Sequence, residues 1–306
     1  MKFLSLVIAL LIEQARPLRT SNPLYAAFER YSELLEAHFN AGEYRQGIIA
    51  WTLAILPPAL VVAAVYAGLH RVSPFLALAW SVLILYLTIG FRHFSHYYTD
   101  IQQALRDGDV ATARDRLNVW RGGGASEFSS AEIARVSIEL GLASSHRHVF
   151  GPAAWFIVLG PAGPVIYRIA AMLNDTWGTR AGAEFGEFGR WARRCYFWVD
   201  WLPARLTAAS FAVVGNFEDA VYCWRTQARS WAARTPDVIL ASGGGALGVK
   251  LGEALHQYDG TELRPELGTG DEPDVDYMQS GVGLIWRALV LWMFLLFLVS
   301  LARSLG

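Results

Sequence analysis

The sequence is short of the residues that carry most soluble chemistry. Only 17% of its 306 residues are charged, and 26 Lys and Arg against 27 Asp and Glu leave a net charge of −1. With no basic excess, and with its cations scattered, the chain lacks the field that draws nucleic acid, so no nucleic-acid partner is expected. Cysteine is nearly absent. Cys195 and Cys223 form neither a C-x-x-C pair nor a zinc pattern, which argues against a disulfide framework and for two structural thiols. His93 with His96, and His146 with His148, have no carboxylate or thiol partners nearby in sequence. They read as interfacial side chains, and no metal ligand set is expected. Neither H-E-x-x-H nor G-x-S-x-G occurs, so the hydrolase templates find no place.

What the chain has is apolar surface. It is 54% hydrophobic with a positive mean hydropathy, too apolar for an ordinary soluble domain and too polar for unbroken membrane helices. Crossing about 30 Å of hydrocarbon takes about 20 apolar helical residues, because no backbone polar group can go unpaired in lipid. The stretches 48–69, 74–91 and 283–302 meet that test. Pro57 and Pro58 are expected to kink the first, and Trp286, Trp292 and Arg303 to anchor the last at the interfaces. The run 1–11 begins like a signal peptide but lacks a cleavage site, and is expected to stay as a short first segment. Stretch 149–173 is interrupted by Pro152, Pro161 and Pro164 and carries Arg168, while 197–214 holds Asp200, Pro203 and Arg205. Both are expected to be kinked or re-entrant.

The expected fold class is therefore all-α: a polytopic membrane protein of about four to six membrane segments, two of them kinked or re-entrant, with helical cytoplasmic loops. The organisation expected is a single membrane domain over 1–306, with a helical cytoplasmic loop at 92–148, a polar cytoplasmic loop at 218–280 and a C-terminal transmembrane helix at 281–303. Lys and Arg concentrate in the larger loops, which places these in the cytoplasm and the protein in a bacterial inner membrane, with lipid as a partner. Ile101, Leu105, Ala113 and Leu117 keep helical spacing, Ser130 stands as a cap ahead of Glu132, and Gly122-Gly123-Gly124 marks a turn. The tail 256–279 is expected to be irregular. Self-association is left open.

Asp200 and Arg205 stand in a membrane-like stretch, where a charge at mid-helix costs at least about 2.5–3.5 kcal/mol. Either they snorkel to an interface, or they line a polar cavity for a charged ligand. The run Gly243-Gly244-Gly245-Ala246-Leu247-Gly248-Val249-Lys250 fails the Walker spacing, since Val249 separates Gly248 from Lys250 and Leu251 stands where Ser or Thr would hold magnesium. A glycine-rich turn, or a helix start holding phosphate through its amides, remains open. Transport finds no inverted repeat to support it.

The octamer Trp201-Leu202-Pro203-Ala204-Arg205-Leu206-Thr207-Ala208 resembles W-I-P-A-R-L-T-A, a signature of the CobD/CbiB family of membrane-bound adenosylcobinamide-phosphate synthases of cobalamin biosynthesis. Further matches stand in order. Gly160-Pro161-Ala162-Gly163 is followed by Tyr167-Arg168; Gly245 to Gly252 resembles G-A-L-G-V-R-L-G; Tyr258-Asp259-Gly260 and Arg264-Pro265-Glu266-Leu267-Gly268 resemble the family's tail. Gly108-Asp109, Ala113-Arg114, Arg135 and Glu139 fit the upstream pattern.

The resemblance implies amide ligation of adenosylcobyric acid to aminopropanol phosphate, using ATP and magnesium, or a related scaffold role. The chain departs from the family where carboxylates would stand: Ala143 to Arg147 replace E-N-T-x-D, Trp120-Arg121-Gly122 replace G-R-D, Ala171 to Asn174 replace N-T-L-D, and Tyr196-Phe197 replace Asp-Asp. What the resemblance leaves is Glu139 as general base or metal ligand, the one catalytic candidate, and a set of cations for an anionic small molecule such as a corrinoid precursor or aminoalcohol phosphate. These are Arg121, Arg135, Arg168, Arg194, Arg205, Lys250 and Arg264, with Gly245, Gly248 and Tyr258 beside them. ATP and magnesium enter only if the chain is active as a ligase. The start, Leu10-Leu11-Ile12-Glu13-Gln14, is similar instead to AmpE, which implies an alternative: a non-enzymatic membrane sensor in β-lactamase induction and cell-wall recycling.

Overall fold

The computed structural model describes residues 1–16, 23–180, 185–228, 235–253, 255–257, 260–262 and 264–305. Helices follow one another as α1 (Lys2–Ala15), α2 (Pro23–Phe39), α3 (Tyr44–Val72), α4 (Pro74–Thr88), α5 (Arg92–Arg106), α6 (Val110–Arg121), α7 (Ser130–Ser145), α8 (Gly151–Leu159), α9 (Ala162–Leu173), α10 (Phe188–Val214), α11 (Phe217–Gln227), α12 (Thr235–Leu247) and α13 (Val275–Leu305). Wide turns of helix at His146–Phe150 and Asn174–Gly178 join neighbours. Four short strands, β1 (Lys250–Gly252), β2 (Leu255–Gln257), β3 (Gly260–Glu262) and β4 (Glu266–Gly268), form two antiparallel pairs, β1 with β4 and β2 with β3. The fold is helical as expected, but the tail 256–279 expected to be irregular carries β3, β4 and most of β2, and β4 pairs with β1 ahead of it, with Leu251 opposite Leu267 and Gly252 opposite Glu266.

α3 and α13 are long and apolar enough to cross a membrane. On α3 the buried edge is mostly small, with Gly47, Ala50, Ala54 and Ala59 beside Ile55 and Val62, while Ile49, Leu53, Leu56, Leu60 and Val61 face outward. That is the pattern of a helix whose large side chains meet lipid and whose small ones admit a neighbouring helix. Helix α3 runs through Pro57 and Pro58 as one element. α4 differs from expectation: Ser73 caps it, accepting from the Phe75 amide, and it ends at Thr88 after 15 residues. At 1.5 Å per residue that is about 22 Å, short of the hydrocarbon thickness.

The chain forms two compact units. The first comprises residues 1–90, 151–203 and 303–306; the second comprises 91–150 and 204–302. In the first, α1 packs on α4, and α3 on α2, α4 and α9, around Ala50, Ala54, Leu173, Trp177 and Phe188. The interrupted stretch 149–173 is folded as α8 against α9, turning at Gly160 (φ +66°), where a Cβ on Gly163 would strike the Trp155 carbonyl at 2.1 Å. The other stretch expected to be broken is not: 197–214 lies within α10, one helix of 27 residues through Pro203. A proline removes a single ladder hydrogen bond, and the helix tolerates that loss here.

In the second unit, α5, α6 and α7 occupy the expected helical loop. The cap of α7 is Ser129 rather than Ser130, because the reciprocal bond needs its glutamate three residues on: the Glu132 amide donates to Ser129 Oγ, and Glu132 Oε2 accepts from the Ser129 amide. Tyr98 of α5 lies against Gly141 and Gly281 and donates to the Met278 carbonyl at 2.7 Å, fastening α5 to the start of α13.

Candidate functional site

Arg135 and Glu139 are four residues apart on α7, so both project from one face of the helix. Opposite them, the β1–β4 ladder brings Gly252 and the residues that precede Glu266 side by side. Gly252 has φ +76°, and a Cβ there would strike the Pro265 carbonyl at 1.9 Å, so only glycine allows the two strands this approach. The turn aims the Gly252 amide at Glu139 Oε1, at 2.7 Å. Arg264 Nη2 donates to the other oxygen, Oε2. One residue beyond Gly252, Glu253 accepts from Arg135 Nη1 at 2.5 Å.

The result is a clasp of two ion pairs, cation then anion on α7 against anion then cation flanking the strands, Glu253 just after β1 and Arg264 just ahead of β4. All four charges cancel. Glu139 and Arg135 are buried, and Arg264 is nearly so. Burial pushes the Glu139 carboxyl above its ordinary range, while Arg264, the Gly252 amide and Arg135 pull it down. The convergence of Arg135, Glu139 and Arg264 thus makes an internally neutralised lock, rather than the open cationic pocket implied by the resemblance. Arg205, half-buried on α10, is not among the influences on Glu139.

The remaining candidates have other surroundings. The glycine-rich run is the end of α12, not a helix start. Gly248 (φ +70°) donates to the Gly245 carbonyl and Val249 to the Gly244 carbonyl, so these amides serve the helix cap. Each glycine meets a different neighbour: a Cβ would lie 2.7 Å from Leu142 Cδ1 at Gly243, 2.9 Å from Gly268 Cα at Gly244 and 2.5 Å from the Asp219 carbonyl at Gly245. The run is a packing device. A phosphate turn at Gly245 and Gly248 is therefore corrected, since a helix C-terminus presents carbonyls, the wrong end for an anion.

Lys250 makes a loose, exposed ion pair with Glu266 at 3.8 Å. Arg121 donates to the Gly124 carbonyl and lies over the Phe128 ring, bracing the glycine turn. Arg168 belongs to the first unit, where Nη2 donates to the Tyr25 hydroxyl at 2.8 Å, and Arg194, also there, is exposed. Tyr258 lies outside the described residues.

Sequence reasoning missed three arrangements. Glu253 bears no local motif, and its role follows from a partner 118 residues away. Asp200 accepts from the buried Tyr167 hydroxyl at 2.7 Å, a contact made possible by Gly151, whose missing side chain leaves room for the ring. His146, expected at an interface, is instead buried, with Nδ1 at 2.9 Å from Thr207 Oγ1 of the signature octamer. Among the described residues no group of three or more His, Cys, Asp or Glu side chains is arranged to hold a metal ion.

A family model described as CobD/Cbib protein matches residues 4–285. The chain is 35% identical over 300 residues to Cobalamin biosynthesis protein CobD of Stutzerimonas stutzeri, an alignment covering 96% of each. It is 35% identical over 219 residues to the protein of that name from Chromobacterium violaceum, covering 72% of this chain and 70% of the relative. A more distant likeness, 25% over 234 residues, joins it to the Listeria monocytogenes protein of that name, covering 74% of this chain and 70% of the relative. No solved structure matches. These relatives speak for the corrinoid side of the resemblance and give the AmpE-like reading no support. With the signature octamer inside α10, the match along nearly its whole length and the relatives at 35%, this chain belongs to the CobD/CbiB family.

Proposed function

We propose that the protein works in cobalamin biosynthesis from the bacterial inner membrane, as a scaffold for the step that joins adenosylcobyric acid to aminopropanol phosphate. The observation that carries the pathway is the 35% identity to a cobalamin biosynthesis protein across 96% of both chains. The membrane part is supported by α3 and α13, with the larger loops on the cytoplasmic side as the distribution of Lys and Arg favours.

The scaffold form rests on the donor set. An ATP-dependent ligase needs carboxylates to hold magnesium against phosphate oxygens. Glu139 and Glu253, the carboxylates of the clasp, each face an arginine, and the positions where the chain departs from the family's carboxylates hold Ala143, Arg147, Gly122, Asn174, Tyr196 and Phe197. These residues do not fit a magnesium–ATP site, so the chain's own contribution is to receive and orient an anionic partner.

The test has two arms. In a strain that makes its own cobalamin, deletion of the gene should lower cobalamin and leave adenosylcobyric acid unconverted; an unchanged corrinoid profile contradicts the pathway. Membranes carrying the chain alone, given adenosylcobyric acid, aminopropanol phosphate, ATP and magnesium, should form no amide. Product at the rate of an authentic synthase run alongside overturns the scaffold form.

A further inference from the structure

Glu253 is the one described non-glycine residue with a left-handed backbone, at φ +54°. A glutamate is poorly suited to that conformation, and such residues persist where surrounding contacts over-determine them. Here the contacts are plain. Its amide donates to the Pro265 carbonyl at 3.2 Å, and Gly252 before it is pinned to Glu139, so the backbone on this side of Glu253 is fixed. Its side chain is the outward member of its pair, 29% exposed against 6% for Arg135. The carboxylate therefore lies between Arg135 and solvent, held at one end by a single ion pair.

We infer that Glu253 is a built-in stand-in for an anionic ligand: its carboxylate occupies the Arg135 guanidinium until the phosphate group of a soluble phosphomonoester displaces it. Glu139 and Arg264 keep their bond throughout, because both Glu139 oxygens are engaged and the pair is nearly shut off from water. A phosphate is the class of anion suited to win the exchange, since it brings up to two charges and three acceptor oxygens against the single charge and two oxygens of a carboxylate. The inference rests on the reading that this site receives an anionic partner. It adds that the site is closed by the protein's own side chain.

The full chain in neutral detergent, titrated with inorganic phosphate in a calorimeter, tests this directly. Glu253→Gly removes the competitor and places glycine where a left-handed backbone suits it; Glu253→Gln removes the charge and keeps a side-chain oxygen that can still accept from Arg135, so the buried guanidinium is not left without an acceptor. Both should bind phosphate at least about tenfold more tightly than the natural chain, the worth of one charge-assisted hydrogen bond. Adding Arg135→Met to Glu253→Gly should abolish the gain. Unchanged affinity in both Glu253 variants, or a gain that survives Arg135→Met, overturns the inference. So does loss of phosphate binding in nanodiscs containing phosphatidic acid but not in phosphatidylcholine discs, which would assign the anion to a lipid headgroup. These readouts need no corrinoid, so they stand or fall separately from the pathway.

Discussion

Glu139 and Arg264 meet across 125 residues of sequence, one on the buried face of α7 and the other just ahead of β4. The carboxylate also takes the Gly252 amide, so a single side chain ties a helix to both strands of the small ladder. Removing one member of such a pair leaves the other charge buried and uncompensated, whereas replacing both with apolar groups removes the desolvation penalty as well.

Glu139→Leu and Arg264→Met should each destabilise the second unit by about 3–5 kcal/mol, the range for a broken buried pair. The double variant Glu139→Leu with Arg264→Met should recover most of that loss. Denaturant melts of the four proteins in detergent form a double-mutant cycle. Strict additivity of the two losses would show that the pair is not coupled.

Gly245→Ala should cost about 1–3 kcal/mol, because its new methyl meets the Asp219 carbonyl at 2.5 Å, and overpacking of this kind forces the backbone to shift. Gly248→Ala meets open space and should cost only the left-handed penalty, about 1–2 kcal/mol. Neither change should alter phosphate affinity in the Glu253→Gly background. A loss of affinity with stability intact would restore the phosphate-turn reading of this run.

Cys223 is wholly buried on α11, and burial, helped by Asp219, pushes its thiol up to about 11. The thiol is protonated at neutral pH, and only the thiolate is a good nucleophile. Iodoacetamide at pH 8 should therefore leave Cys223 unmodified in the native protein and label it after denaturation, as read by mass spectrometry of the peptides. Rapid labelling in the native state would place α11 away from its helix partner α12.

The exposed Asp109 caps α6 through the Thr112 amide and hydroxyl, which hold its carboxyl below the ordinary range. A depressed carboxyl lends stability above its unfolded pKa and loses it as pH falls through the folded value. The gap between the natural chain and Asp109→Ala should thus be open at pH 7 and close in strong acid, measured by melts at each pH. A gap constant across that range would show that the ionised cap contributes nothing.

The parts of this molecule governed by local pattern were legible in the sequence. Long apolar runs gave α3 and α13, the spacing of Ile101, Leu105, Ala113 and Leu117 gave α5 and α6, and the prolines of 149–173 announced the turn between α8 and α9. Three of the four members of the clasp are legible too, since Arg135, Glu139 and Arg264 all stand among the candidates read from the sequence. Hidden were the features set by long-range geometry. The glycines of α12 look alike in sequence, yet each is required by a different neighbour, and Glu253 is defined by a backbone angle and a distant arginine. Arg135 and Arg264 were legible as cations, but their neutralisation by Glu253 and Glu139 depends on which strands pair.

The most direct measurement of the central claim is corrinoid profiling by mass spectrometry in a strain deleted for this gene and complemented with variants. The natural chain should restore cobalamin and clear adenosylcobyric acid. Arg135→Met with Glu253→Gly, which removes the guanidinium proposed to receive the phosphate together with its partner charge, should leave the precursor in place. Full restoration by that double variant would contradict the account, because the protein would then serve the pathway without the site proposed here.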